Sequence, residues 1–154
     1  METIASFNTD HREITPGVYI SRVDGDVTTY DLRTRKPNTG DIMSNSVMHS
    51  VEHMFATFVR NSEIGNRVLY FGPMGCQTGF YLLIRSADHQ QVIKVIKQVL
   101  RGIAAYEGAM PGNSELECGN YKSLNLECAK AECQKYYDAI KNMEEKDLAY
   151  KQSR

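Results

Sequence analysis

Apolar positions along this chain switch between two periods, and the switches mark out its elements. Residues 17–23 and 27–33, GVYISRV and VTTYDLR, mix β-branched and aromatic residues with polar ones at the two-residue period of half-buried strands. The DGD between them predicts a hairpin. RKPNTGDIMSNS breaks both periods at Pro37 and Gly40 and reads as a loop. From about Val47 to Arg60 the period becomes helical. Val47, Val51, Met54, Phe55 and Phe58 share one arc, with Met48 and Val59 at its edge and Ser44 or Ser46 as the N-cap. NRVLYF and GFYLLIRS, residues 66–71 and 79–86, are strand-like again, joined by GPMGCQT. Residues 87–108 return to helical spacing, with Ser86 as the expected cap. PGNSELECGNYKS is a loop or short helix with Ser114 and Glu117 at capping-box spacing, and residues 125–148 form a last amphipathic helix. Strands in hairpins with segregated helices predict an α+β fold, a mostly antiparallel sheet packed with helices. No repeat or linker divides the chain, so residues 1–154 are assigned to one domain.

Charge and composition narrow the partners. The formal net charge is −1 and no basic stretch occurs, which argues against nucleic acid and anionic membrane surfaces. No apolar run approaches the roughly 18 residues a membrane-spanning helix needs, and METIASFNTDHREITPG lacks the apolar core of a secretory signal. A cytoplasmic protein is expected. Its four cysteines, Cys76, Cys118, Cys128 and Cys133, form no Cys-x-x-Cys pair. In a reducing compartment such cysteines are buried, catalytic or metal-bound rather than cross-linked. Cys128 and Cys133 read as packing residues of the last helix.

The candidate chemistry starts on the first helix. His49, Glu52 and His53 fall on the arc opposite the apolar stripe, with Ala56 and Arg60, so neither histidine belongs to the core face. Imidazoles four apart can reach one divalent ion, and the glutamate is a step around the helix. Two solvated histidines on an outer face remain the competing explanation. A catalytic site needs a third protein ligand. Candidates are His11, His89, the cysteines and the carboxylates, with Cys118 singled out because Gly119 relaxes the backbone beside it. From spacing alone, a buried free cysteine is the simpler account of Cys118. Cys76 lies in a Gly-rich strand-to-strand loop suited to displaying a nucleophile or acid/base group, and equally to a plain hairpin. Arg33, at the end of a strand, can hold a carboxylate bidentately, although a solvated arginine is commoner there. Ser6, Asp10 and His11 lie on an N-terminal arm without periodicity, of the kind that docks on a partner subunit or frays. A peptidase with the inverted His-x-x-Glu-His order, another metal enzyme and a non-catalytic metal domain all stay open.

SFNTDH, YDLRTRKPN, MHSVEH, PMGCQTGFYL and LECGNY occur together in this order, and the chain from about residue 4 to 140 thereby resembles the S-ribosylhomocysteine lyase family. The resemblance implies cleavage of S-ribosylhomocysteine to homocysteine and 4,5-dihydroxy-2,3-pentanedione, the autoinducer-2 precursor. It implies one divalent metal per chain, natively Fe(2+), with Zn(2+) or Co(2+) possible, held by His49, His53 and Cys118. Glu52 and Cys76 become the acid/base pair, and Ser6, His11 and Arg33 the substrate contacts. It also implies a homodimer with sites at the interface. The metal helix and Cys76 are expected from one subunit, and Ser6, His11 and Arg33 from the other. Two stretches depart from the family pattern. Tyr70 and Gly72 stand where many members have Asp-x-Ser. The loop usually spelled Arg-Phe-x-Gln-Pro-Asn here runs Arg33-Thr34-Arg35-Lys36-Pro37-Asn38.

Overall fold

The computed structural model describes residues 1–151. Of the terminal KQSR, to which the sequence assigns no role, residues 152–154 lie outside the described residues.

Strands β1 (Gly17–Asp24) and β2 (Val27–Arg33) form the first hairpin. Asp24 pairs with Val27, and Gly25 closes the turn at φ 61°, a conformation that strains any other residue. Strands β3 (Val68–Pro73) and β4 (Gly79–Arg85) form the second. β2 pairs with β4, giving an antiparallel sheet in the order β1-β2-β4-β3. Side chains alternate across it. Tyr30, Leu32, Phe80, Leu82 and Ile84 enter the core, so Asp31 and Arg33 between and beside them point to the opposite face.

The helices cover the apolar face. Helix α1 (Asn45–Arg60) is capped by Ser44, whose Oγ accepts the Val47 N–H. Its stripe buries as the periodicity predicts: Met48, Val51, Met54, Phe55 and Val59 are buried, and Val47 and Phe58 pack half-buried against them. Phe55 stacks on Phe71 at 4.3 Å between centroids, and Phe71 on Phe80 at 5.0 Å, which locks α1 to the sheet. This orientation leaves His49, Glu52 and His53 on the side of α1 away from the sheet.

Helix α2 (His89–Ala104) is capped by Asp88, not Ser86. The Asp88 carboxylate accepts the Gln91 N–H, whereas Ser86 sits at φ 52° in the turn leaving β4. Helix α3 (Leu126–Ile140) begins at its Asn125 cap but stops eight residues before the expected 148. Beyond Lys141, Glu144 and Asp147 cap each other reciprocally and start a separate 3₁₀ turn, Glu145–Leu148, which still delivers Leu148 to the core. Among the described residues, no helix is long and apolar enough to cross a membrane.

Candidate active site

One helix and one loop build a three-ligand group. His49 and His53, one turn apart on α1, bring their rings to 4.7 Å, edge to face. The loop of residues 105–125 crosses above them and carries Cys118. The candidate donor atoms of His49, His53 and Cys118 all lie within 4.8 Å of one another, and Cys118 Sγ is 3.4 Å from His49 Nε2. Ligands at about 2.0–2.3 Å around a tetrahedral ion sit roughly 3.3–3.6 Å apart, so the Cys118–His49 pair already has the spacing a small divalent cation needs and the widest separation would close by about 1 Å.

The hydrogen bonds behind the histidines fix which nitrogen faces that point. His53 Nδ1 lies 3.0 Å from the Pro111 carbonyl, which can only accept, so Nδ1 carries the hydrogen and Nε2 the lone pair. His49 Nδ1 lies 2.6 Å from Ser123 Oγ, whose own hydrogen goes to the Asn120 carbonyl at 3.1 Å. Ser123 therefore accepts from His49, and His49 too presents a bare Nε2. Burial lowers the His49 pKa from its ordinary value and the neighbouring His53 lowers it further, against a raising effect of Glu52. All of this favours neutral imidazole, the form that ligates. At Cys118 the Asn120 N–H points at the sulfur from 3.4 Å. Glu52, half-buried, shares the outer arc of α1 with both histidines.

Cys76 lies elsewhere, exposed on the β3–β4 turn. Its Sγ is 2.9 Å from Thr78 Oγ1, which accepts from Arg33 Nη1 at 3.0 Å. Arg33 is not the solvated strand-end arginine that its position suggests. It is 3% exposed and holds the Asp31 carboxylate through Nε at 3.1 Å and Nη2 at 2.7 Å. Burial works against its charge, but the bonds and charge of Asp31 outweigh burial and raise its pKa. Tyr150, stacked on Tyr19 at 4.9 Å, donates to the second Asp31 oxygen at 2.6 Å. Arg33 and Cys76 thus belong to one cluster of one chain, which overturns their expected division between subunits. They meet because β2 and β4 are paired, with Arg33 opposite Gly79.

Ser6 lies in a 3₁₀ turn, Ala5–Asn8, with exposed Phe7 beside it, and His11 bonds through Nδ1 to the Thr9 carbonyl at 2.8 Å. Tyr70 lies over Gly72 on the edge strand: a Cβ at 72 would meet the Tyr70 phenol end, which, being exposed, would have to swing aside. Ser123, Asp31, Thr78 and Tyr150 escaped the sequence reading. One of them leaves a visible trace: Asp31-x-Arg33 has the i, i+2 spacing of residues on one side of a strand.

Comparison with known proteins gives matches along nearly the whole chain. Residues 4–147 match the family model described as S-ribosylhomocysteinase (LuxS). The S-ribosylhomocysteine lyase of Finegoldia magna is 43% identical over 155 residues, covering 97% of this chain and 99% of that protein. Those of Clostridium beijerinckii and Borreliella afzelii are 42% and 41% identical with the same coverage.

Proposed function

The chain belongs to the S-ribosylhomocysteinase (LuxS) family and is a carbon–sulfur lyase, and we propose that it cleaves S-ribosyl-L-homocysteine to L-homocysteine and 4,5-dihydroxy-2,3-pentanedione. The observation that carries this reading is the His49–His53–Cys118 group with both histidines fixed in the ligating tautomer. These residues would hold one divalent cation, natively ferrous iron with zinc or cobalt as substitutes. That ion supplies Lewis-acid stabilisation of negative charge on the sugar oxygens. A thiol rather than a carboxylate as third ligand separates the site from the inverted-motif peptidases.

Glu52 and Cys76 do the proton work. A proton is removed from the carbon beside the carbonyl and returned to the former carbonyl carbon, moving the carbonyl from C1 to C2 and then to C3. The thioether then lies β to the carbonyl. Loss of the C4 proton breaks the C5–S bond, the sulfur leaves with the bonding pair as homocysteine thiolate, and the remaining enol tautomerises to the dione. No oxidant is consumed. Glu52 stands beside the metal group and Cys76 on a separate turn, which suits two carriers working on different sides of the sugar. Ser6, His11 and Arg33 contact the substrate. The active unit is a cytoplasmic homodimer with neither nucleic acid nor membrane as partner.

An anaerobic assay of the metal-loaded protein with S-ribosylhomocysteine, reading the freed thiol, tests this. Thiol release is expected, and Cys76→Ala and Glu52→Gln should each lose at least about 10²–10⁴-fold while keeping metal and fold. Absence of thiol release by the metal-loaded wild-type protein would remove the proposal.

A further inference from the structure

The cluster behind Cys76 has a direction. Guanidinium nitrogens can only donate, so Thr78 Oγ1 is the acceptor in its 3.0 Å bond with Arg33 Nη1. A hydroxyl has one hydrogen, and the remaining polar neighbour of Oγ1 is Cys76 Sγ at 2.9 Å. We propose that Thr78 is a positioning residue for Cys76, donating its hydrogen to the sulfur in an orientation imposed by Arg33, which Asp31 and Tyr150 hold in place. The sulfur is thereby an acceptor, with the donor held on one side of it. The hydroxyl need not turn when the proton moves, because Arg33 has already set it.

The groups around the sulfur support this arrangement. Arg33 and, behind it, Asp31 come from β2, Tyr81 from β4, and Tyr150 from the chain after α3. Burial first and the charge of Asp31 second raise the pKa of both Tyr81 and Tyr150. Both phenols therefore remain neutral near physiological pH, and Tyr150 remains a donor to Asp31. Asp31 receives two bonds from Arg33 and one from Tyr150, so Arg33 has little freedom to swing away from Thr78. Asp31 and Arg33 are both more than nine-tenths buried, which makes this a built support rather than a surface contact.

The bearing of Thr78 on turnover rests on the lyase reading; the hydrogen bond does not, so the test is made on the resting, metal-loaded protein. Alkylation of Cys76 by iodoacetamide is followed across pH, with the modified peptide quantified by mass spectrometry so that the other cysteines do not contribute. Thr78→Val removes the hydroxyl and keeps the shape. Cys76 alkylation at neutral pH should slow about ten-fold, the size of one hydrogen bond to a charged group. Thr78→Ser should stay within about two-fold of the wild type, because it keeps the donor. Should Thr78→Val not fold, Thr78→Ala is read in the same way. A wild-type rate in the hydroxyl-free variant overturns the proposal, and so does a Thr78→Ser protein as slow as that variant, since the methyl would then be what matters. A protein that alkylates as expected but releases no homocysteine would refute the lyase reading and leave this one standing.

Discussion

His49 and His53 differ from ordinary surface histidines in what holds their Nδ1 atoms: a serine whose own hydrogen is committed, and a backbone carbonyl. Such outer partners set ring orientation and tautomer, and losing one typically costs 10–100-fold in metal affinity. Ser123→Ala should therefore bind a divalent cation about 10–100-fold more weakly in chelator competition, while His53→Ala, which removes a ligand, should purify largely without metal. Unchanged affinity in both variants would contradict the ligand set. Protons compete for the same Nε2 lone pairs, and burial has already lowered the His49 pKa, so affinity should hold through neutral pH and fall only as the medium becomes acid. At this scale the sequence was legible where one element carries the chemistry. His49, Glu52 and His53 share a helix and can be read from spacing. Cys118 lies 65 residues beyond His53, and its loop is aimed by bonds to Pro111 and Ser123 that no periodicity reveals. Arg33 was legible as a carboxylate binder, but not that the carboxylate is Asp31, two residues away.

The elements that carry these residues were visible mostly where burial is one-sided. The α1 stripe follows from its period, and the four strands from their β-branched and aromatic runs between turn residues. The ends of α2 and α3 do not, because apolar residues keep arriving after each helix has stopped: Tyr106 packs against the core from a turn, and Leu148 from a separate 3₁₀ turn. A second feature hidden from the sequence joins elements across the fold. Arg35, in the loop before α1, makes a paired contact with Glu132 of α3, including a 2.6 Å bond from Nη2 to Oε1, and both are buried. The Glu132 hydrogen bond is the largest cause of the raised Arg35 pKa. Asp41 shares the same guanidinium from the solvent side at 3.1 Å. Removing one partner of a buried pair leaves the other charge uncompensated, at a typical cost of about 3–5 kcal/mol. Because Asp41 remains, Glu132→Ala should lose about 3 kcal/mol, the lower end, in denaturant unfolding. A loss under about 0.5 kcal/mol, the range of ordinary surface changes, would mean that the pair does not anchor the loop.

For the molecule as a whole, the two halves of the proposed chemistry face different ways. The metal group sits on the side of α1 turned from the sheet, whereas Arg33, which reaches Cys76 through Thr78, points from the sheet face turned from the helices. Each half is flanked by an exposed apolar residue, Leu116 at 96% near Cys118 and Tyr70 at 53% on the edge strand before Cys76. A second copy of the chain would cover such residues, and two-fold dimers are the commonest oligomers. An assembly that unites Glu52 with Cys76 would take, for each site, the metal group from one chain and the Cys76–Arg33 cluster from the other. Mixing Cys76→Ala with Arg33→Ala chains would not restore activity, since both lesions fall on the same half. Mixing His53→Ala with Cys76→Ala chains is the informative pair. After subunit exchange, a mixed dimer has one site bearing both lesions and one bearing neither. With random exchange half the dimers are mixed, so thiol release should recover to roughly a quarter of the wild-type level. If metal group and Cys76 served the same site from one chain, every site would keep a lesion and the mixture would stay inactive. That result, with exchange confirmed by native mass spectrometry of differently tagged chains, would show the halves joining within a chain and would require Cys76 to reach its substrate without crossing an interface.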